Sequence, residues 1–149
     1  MNQTPAMQID HVELFVPDRY EAAAWYERVL GLKIVPALEH FADDPKGPLM
    51  ISTPAAPTKL ALFQGETRGC RRGTGFYRVA FAAQADSFVQ FLDQLPVLKL
   101  RSAGNRIIGE QDVVDHGKAW SLYFCDPWGH CLEITTYAWS EVQSLLDAR

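Results

Sequence analysis

The chain opens on a strict alternation. In residues 9–16 (IDHVELFV), Val12, Leu14 and Val16 share one parity and His11, Glu13 and Phe15 share the other. That is the pattern of a β-strand with one buried face. Pro17 stops the strand, and Asp18 is placed to cap a helix. Residues 19–31 (RYEAAAWYERVLG) predict that helix. Tyr20, Ala23, Ala24, Glu27 and Leu30 lie along one face, Trp25 and Val29 lie beside it, and Gly31 ends it. Three strands are predicted next, at 32–38 (LKIVPAL), 48–53 (PLMIST) and 58–64 (TKLALFQ). The first is bulged or at an edge, because Pro36 has no N–H to donate.

The same order then returns. A strand at 76–83 (FYRVAFAA) precedes a helix at 85–95, whose Phe88, Phe91, Leu92 and Leu95 share a face. Strands follow at 106–115 (RIIGEQDVVD), 119–125 (AWSLYFC) and 130–136 (HCLEITT). A last amphipathic helix, 140–148, sets Val142, Leu145 and Leu146 on one side. HVELF (11–15) lies over RVAFA (78–82), and LMISTPAAPTKLALF lies over LYFCDPWGHCLEIT with one residue inserted. Repetition on this scale implies two like modules packed together. The expected organisation is a single domain over 1–149. Module one covers about 8–65, a Gly- and Arg-rich linker 65–75, module two about 76–137 and a C-terminal helix 139–149.

Composition narrows the partners. The 149 residues carry a formal net charge of −4, which gives no electrostatic case for nucleic acid or an anionic membrane surface. No run of about 18 apolar residues predicts a membrane-spanning helix. The opening MNQTPAMQID lacks the basic and apolar regions of a secretory signal. Cys70, Cys125 and Cys131 form an odd, small set that fits a reducing cytoplasm better than a disulfide framework. Cys125 and Cys131 flank the Asp126-Pro127 turn and could face one another across a hairpin. They read first as reduced structural thiols, with a redox or metal role as the alternative.

Parity also selects the candidate chemistry. Arg78, Ala80 and Ala82 share a strand face, and the two alanines leave room beside the guanidinium. Ser121, Tyr123 and Cys125 share another, and Glu133 must face away from Leu132 and Ile134. The polar set that could converge is His11, Arg78, Tyr123 and Glu133.

At these residues the chain resembles a known family. HVELFV followed by PD, a helix ending in WYERVLGLKI, and the closing SLYFCDPWGHCLEI are similar to the vicinal oxygen chelate superfamily. That superfamily includes glyoxalase I, extradiol dioxygenases, and the fosfomycin- and bleomycin-resistance proteins. The resemblance spans roughly residues 8–137. It implies an α+β fold of two βαβββ modules forming a curved, half-open barrel-like sheet, of the glyoxalase/bleomycin resistance/dihydroxybiphenyl dioxygenase type, usually as a homodimer. In the metal-using members a His opens the first strand, a His opens the fifth and a Glu lies on the last. His11 and Glu133 match two of these positions, which implies a divalent metal (Fe, Mn, Ni or Zn) that a substrate chelates through neighbouring oxygens.

The chain departs from the pattern at the second ligand, where Arg78 stands in place of His. Arg has no lone pair to offer and remains charged. It could pair bidentately with Glu133 instead, or hold an anionic substrate. The metal is therefore conditional on a missing bond supplied by His116 or by the substrate. Tyr123 matches the tyrosine that the dioxygenases place beside substrate, and His116 matches a stretch in which they carry an active-site His. The resemblance thus implies Tyr123 and His116 as catalytic; the chemistry of Arg78 makes it a substrate-binding candidate, and Trp120 is a second one, as an aromatic lining the cleft of a metal-free binder.

Two readings stay open. One is a metal-dependent dioxygenase- or glyoxalase-like enzyme acting on a small oxygenated compound. The other is a metal-free protein of the bleomycin-resistance type that binds a small molecule, with an anion as the class that Arg78 would suit. Beside both stand plainer alternatives: an Arg78–Glu133 structural ion pair, an ordinary strand histidine at His11, and a core aromatic at Tyr123.

Overall fold

The computed structural model describes residues 6–54, 57–66 and 76–149. Most of the linker, including Cys70 and Arg68, Arg71 and Arg72, lies outside the described residues. The chain divides into two compact units, one on either side of the linker. Each has the order strand–helix–three strands, the second with an added helix.

In the first unit, β1 (His11–Val16) pairs in parallel with β4 (Lys59–Gln64), and β3 (Leu49–Ser52) joins β4 to the short β2 (Lys33–Ile34). The predicted alternation holds: Leu14 and Val16 are buried, while His11 and Glu13 are exposed. Helix α1 (Arg19–Leu30) begins where Asp18 accepts the Tyr20 and Glu21 amides, each at 2.9 Å. It ends at Gly31, whose φ of 69° lets the Gly31 and Leu32 amides return to the Glu27 and Tyr26 carbonyls.

The buried face of α1 differs from the expected one. Ala22, Ala23, Trp25, Tyr26 and Val29 are buried, whereas Tyr20 is 51% exposed and Ala24 and Glu27 face solvent. The wide Trp25–Tyr26 pair, packed edge-on at 5.0 Å, sets the helix rotation. A stripe drawn through the alanines and Tyr20 misjudged it. The predicted strand at 32–38 is also cut short, because Pro36 begins a 3₁₀ helix, Pro36–Asp43. Proline suits the first turn of a helix, where its missing N–H costs nothing, and it cannot serve a ladder.

In the second unit, β5 (Val79–Ala82) pairs in parallel with β8 (Cys131–Thr136), which pairs antiparallel with β7 (Trp120–Cys125) and so with the two-residue β6 (Val114–Asp115). Leu122, Phe124, Leu132 and Ile134 point to one side of this sheet and are buried. Helix α2 (Ala85–Leu98) buries Phe88, Phe91, Leu92 and Leu95 as expected, with Phe91 against Phe124 at 5.9 Å. Helix α3 (Trp139–Asp147) buries Val142 but leaves Leu145 41% exposed. The β7–β8 turn is built on Asp126, whose buried carboxylate accepts the amides of Trp128 and His130 and the His130 ring. Gly129 follows at φ 96°, a conformation costly for any residue with a Cβ.

The long strand predicted at 106–115 is mostly absent. Ile107 makes only an isolated bridge to Arg101, Glu110–Asp112 forms a 3₁₀ turn, and only Val114 and Asp115 reach the sheet. Local side-chain bonds outcompete the ladder: Asp112 accepts from the Gly109 amide at 2.9 Å and from both terminal nitrogens of Arg106.

Arg106 first, and then the Gly109 amide, hold the Asp112 carboxyl below the usual carboxylate range. Its folded pKa lies below its unfolded one. The turn's stabilisation is therefore present above the usual range and lost as pH falls through the folded value. An NMR titration is expected to give Asp112 a midpoint below that of an Asp peptide, with the Gly109 amide shift following the same curve. A midpoint at or above the peptide's would overturn this account. Among the described residues, no helix is long and apolar enough to cross a membrane.

Candidate functional site

The face of the second sheet opposite its core carries Ala80 and Ala82 on β5, Cys131, Glu133 and Thr135 on β8, and Ser121, Tyr123 and Cys125 on β7. Register sets Glu133 between Ala80 and Tyr123. Arg78 precedes β5 and extends over this face. Its guanidinium carbon lies 4.2 Å from the centroid of the Tyr123 ring and 5.0 Å from that of Tyr77, both within cation–π range. Arg78 Nη1 is 3.9 Å from Glu133 Oε2, a charge contact longer than a hydrogen bond. The bidentate pair expected from the sequence is not formed. The Arg78 Nε–H is buried, with no hydrogen-bond partner among the described residues.

Tyr123 also meets His116. The turn joining β6 to β7 closes through the His116 amide to the Ala119 carbonyl, with Gly117 at φ 77° and its amide on Asp115 Oδ1. This swings the imidazole onto β7, where Nε2 shares a 2.9 Å hydrogen bond with the Tyr123 hydroxyl. Four of the residues singled out from the sequence thus form one connected line: His116, Tyr123, Arg78 and Glu133.

Trp120 is not part of it. It has the parity of Leu122 and Phe124 and points to the other side of the sheet. There it stacks on Trp139 at 6.0 Å and donates to the Trp139 carbonyl. Tyr77 was missed. In a regular strand it would face away from its neighbour Arg78, but ordered pairing begins only at Val79, so alternation does not govern Tyr77.

His11 lies in the first unit. Its Nδ1 is 2.8 Å from Asp10 Oδ2; a carboxylate only accepts, so Nδ1–H donates and Nε2 is left facing Glu13 Oε1 at 3.7 Å. Lys59, opposite His11 in the β1–β4 register, binds the other Asp10 oxygen at 3.0 Å. Hydrogen bonds from His11 and then Lys59 hold the Asp10 carboxyl below its usual range. A cavity of about 560 Å³ is lined by Asp10, His11, Lys59 and Met50 together with Leu38 and Phe41. Asp10 and Lys59 were not singled out from the sequence; the parallel pairing that sets Lys59 beside His11 is a tertiary fact.

A family model for the glyoxalase/bleomycin resistance protein/dioxygenase superfamily matches residues 8–134. The chain belongs to this superfamily. Its fold is shared by the oxidase ChaP-H2 (24% identity, TM-score 0.63, covering 89% of this chain and 94% of that one). It is also shared by a lactoylglutathione lyase from Agrobacterium tumefaciens (19%, 0.60, 89% and 96%). The genomically encoded fosfomycin resistance protein FosX from Listeria monocytogenes is a third (15%, 0.60, 93% and 99%). At these identities the likeness concerns the fold alone. No curated protein sequence gives a significant match.

Superfamily members often use a divalent metal, and this donor set fits one poorly. His11 presents a ligand-like nitrogen, backed by Asp10 as metal-bound histidines commonly are. Glu133, however, has a permanent cation 3.9 Å away where a metal-using member supplies imidazole. Among the described residues no group of three or more His, Cys, Asp or Glu is arranged to hold a metal. Incubation with Fe(II), Mn(II), Ni(II) or Zn(II), then desalting, is expected to leave well below one metal per chain by elemental analysis. Near-stoichiometric retention that His11→Ala and Glu133→Ala abolish would reverse this conclusion.

Proposed function

We propose that the second module binds a small oxygenated organic anion, a carboxylate or enolate, through Arg78 and without a divalent metal. The observation that carries this reading is the state of the guanidinium. The Arg78 side chain is 31% exposed and its guanidinium is flanked by two tyrosine rings, while the nearest carboxylate among the described residues, at 3.9 Å, is too distant to occupy its N–H groups. A planar fork with unspent donors suits a carboxylate, and the rings suit a flat or aromatic body beside it. Glu133 tempers the local charge without neutralising it. The working form is a homodimer, as is common in the superfamily.

The test is calorimetric titration with aliphatic and aromatic carboxylates and enolates, with and without a chelator. Binding that survives chelation and falls in Arg78→Met supports the reading. Binding that requires added metal sinks it.

A second reading, in which the site also does chemistry, rests on the His116–Tyr123 bond. An imidazole on a phenol hydroxyl can hold or move a proton at the phenolic oxygen near neutral pH. Turnover of a bound ligand that Tyr123→Phe and His116→Ala abolish, while binding persists, would select this enzyme reading over simple sequestration.

A further inference from the structure

Cys125 and Cys131 are directly opposite one another in the β7–β8 pair, on the face that carries Tyr123 and Glu133. Both are free and partly exposed. The Cys125 N–H is directed away from β8, to the Arg101 carbonyl at 2.8 Å, and the next pair along carries the narrow-pair bond from the Asp126 amide to the His130 carbonyl. Cys125 and Cys131 therefore occupy a non-hydrogen-bonded position. Antiparallel strands approach most closely there, with Cα atoms about 4.5 Å apart, inside the span that a disulfide bridges without backbone movement. Burial, then the neighbouring Cys131, pushes the Cys125 thiol up to about 11.

Both cysteines line a cavity of about 270 Å³ with Arg101, Ser102, Asn105 and Gly129. A small disulfide can reach the sulfurs there, and Arg101 suits an anionic one such as oxidised glutathione.

We infer that Cys125 and Cys131 are a reversible redox site, closing to an intrachain cross-strand disulfide by exchange with a low-molecular-weight disulfide. One protein thiolate attacks a sulfur of the added disulfide, expels one thiol and becomes a mixed disulfide. The second protein thiol gives up its proton and attacks the protein-bound sulfur, and the second small thiol leaves with a proton. The protein loses two electrons and two protons, and the small disulfide gains both. The bond ties the two strands that carry Tyr123 and Glu133 at one end of the hairpin.

The test uses the full chain treated with oxidised glutathione, alkylated, and read by intact mass and peptide mapping. The expected product is a loss of two hydrogens, with Cys125 linked to Cys131. Alkylation of both should fall at least about tenfold relative to the reduced protein and return with dithiothreitol. Cys70→Ser should behave the same way. In Cys125→Ser the exchange should stop at a glutathione adduct on Cys131. If that variant does not fold, the peptide map of the wild-type chain decides alone. Unchanged alkylation, a persistent adduct in the wild-type chain, or linkage only through Cys70 or a second chain would overturn the inference.

Discussion

Replacing Arg78 with methionine is expected to weaken binding of a carboxylate ligand by roughly ten- to a hundredfold, while the fold persists. Charge-assisted hydrogen bonds of this kind are worth about 1.5–3 kcal/mol, and a bidentate guanidinium–carboxylate pair lies at the upper end. Methionine keeps much of the apolar stem that packs near Tyr123 and removes only the fork. Arg78→Lys is expected to recover part of the affinity, because an ammonium keeps the charge but not the planar pair of donors. Glu133→Gln should move affinity the other way, since removing the carboxylate 3.9 Å from Nη1 leaves the cation less compensated. Titration calorimetry at two salt concentrations reads all three variants. Equal affinity in wild type and Arg78→Met would remove Arg78 from the site.

Arg19→Ala is expected to destabilise the protein by about 2–3 kcal/mol, through loss of charged hydrogen bonds and of the groups they satisfied. Arg19 is 7% exposed at the start of α1, where a cation gains nothing from the helix dipole. Its purpose lies across the gap. Nη1 donates to the Asp44 carbonyl at 3.2 Å and to that of Gly47, and Nη2 donates to Ala42 at 3.1 Å. One guanidinium thus gathers the carbonyls that end the 3₁₀ helix and the loop after it. Gly47 cannot be replaced in that loop, because a Cβ there would fall 2.0 Å from the Phe41 carbonyl oxygen. The segment carries Leu38 and Phe41 to the cavity beside His11, so losing Arg19 should loosen that wall as well. Urea unfolding measures the stability, and hydrogen exchange over 36–47 measures the wall. Lysine should rescue little, since it cannot span three acceptors. A change under about 1 kcal/mol would show that water replaces most of what the guanidinium supplies.

By itself the sequence determined the repeated strand–helix–three-strand order, the buried parity of β1, the core face of α2, and both ends of α1. These depend on period and on local chemistry: alternation at His11–Val16, a carboxylate at Asp18, and a residue tolerant of positive φ at Gly31. It also marked Tyr123 and Glu133 as able to share a face, because strand parity is a local property, and named Arg78 beside them, although Arg78 lies just before β5 and meets them by side-chain reach. The same parity held Trp120 with Leu122 and Phe124, and its aromatic character was no reason to set that aside.

Tertiary structure decided what parity cannot express. The rotation of α1 followed the bulk of Trp25 and Tyr26 rather than the count of apolar positions. The segment at 106–115 left the sheet because Asp112 found Arg106 and Gly109 close at hand. Tyr77 reached Arg78 because it lies before the ladder begins, where alternation no longer applies. The contacts that give the candidate site its chemistry, His116 to Tyr123, Tyr123 to Arg78 and Arg78 to Glu133, depend on side-chain reach across separate strands and a turn. Pair distances of this kind depend on register and on how each side chain packs, and both are set only when the strands come together.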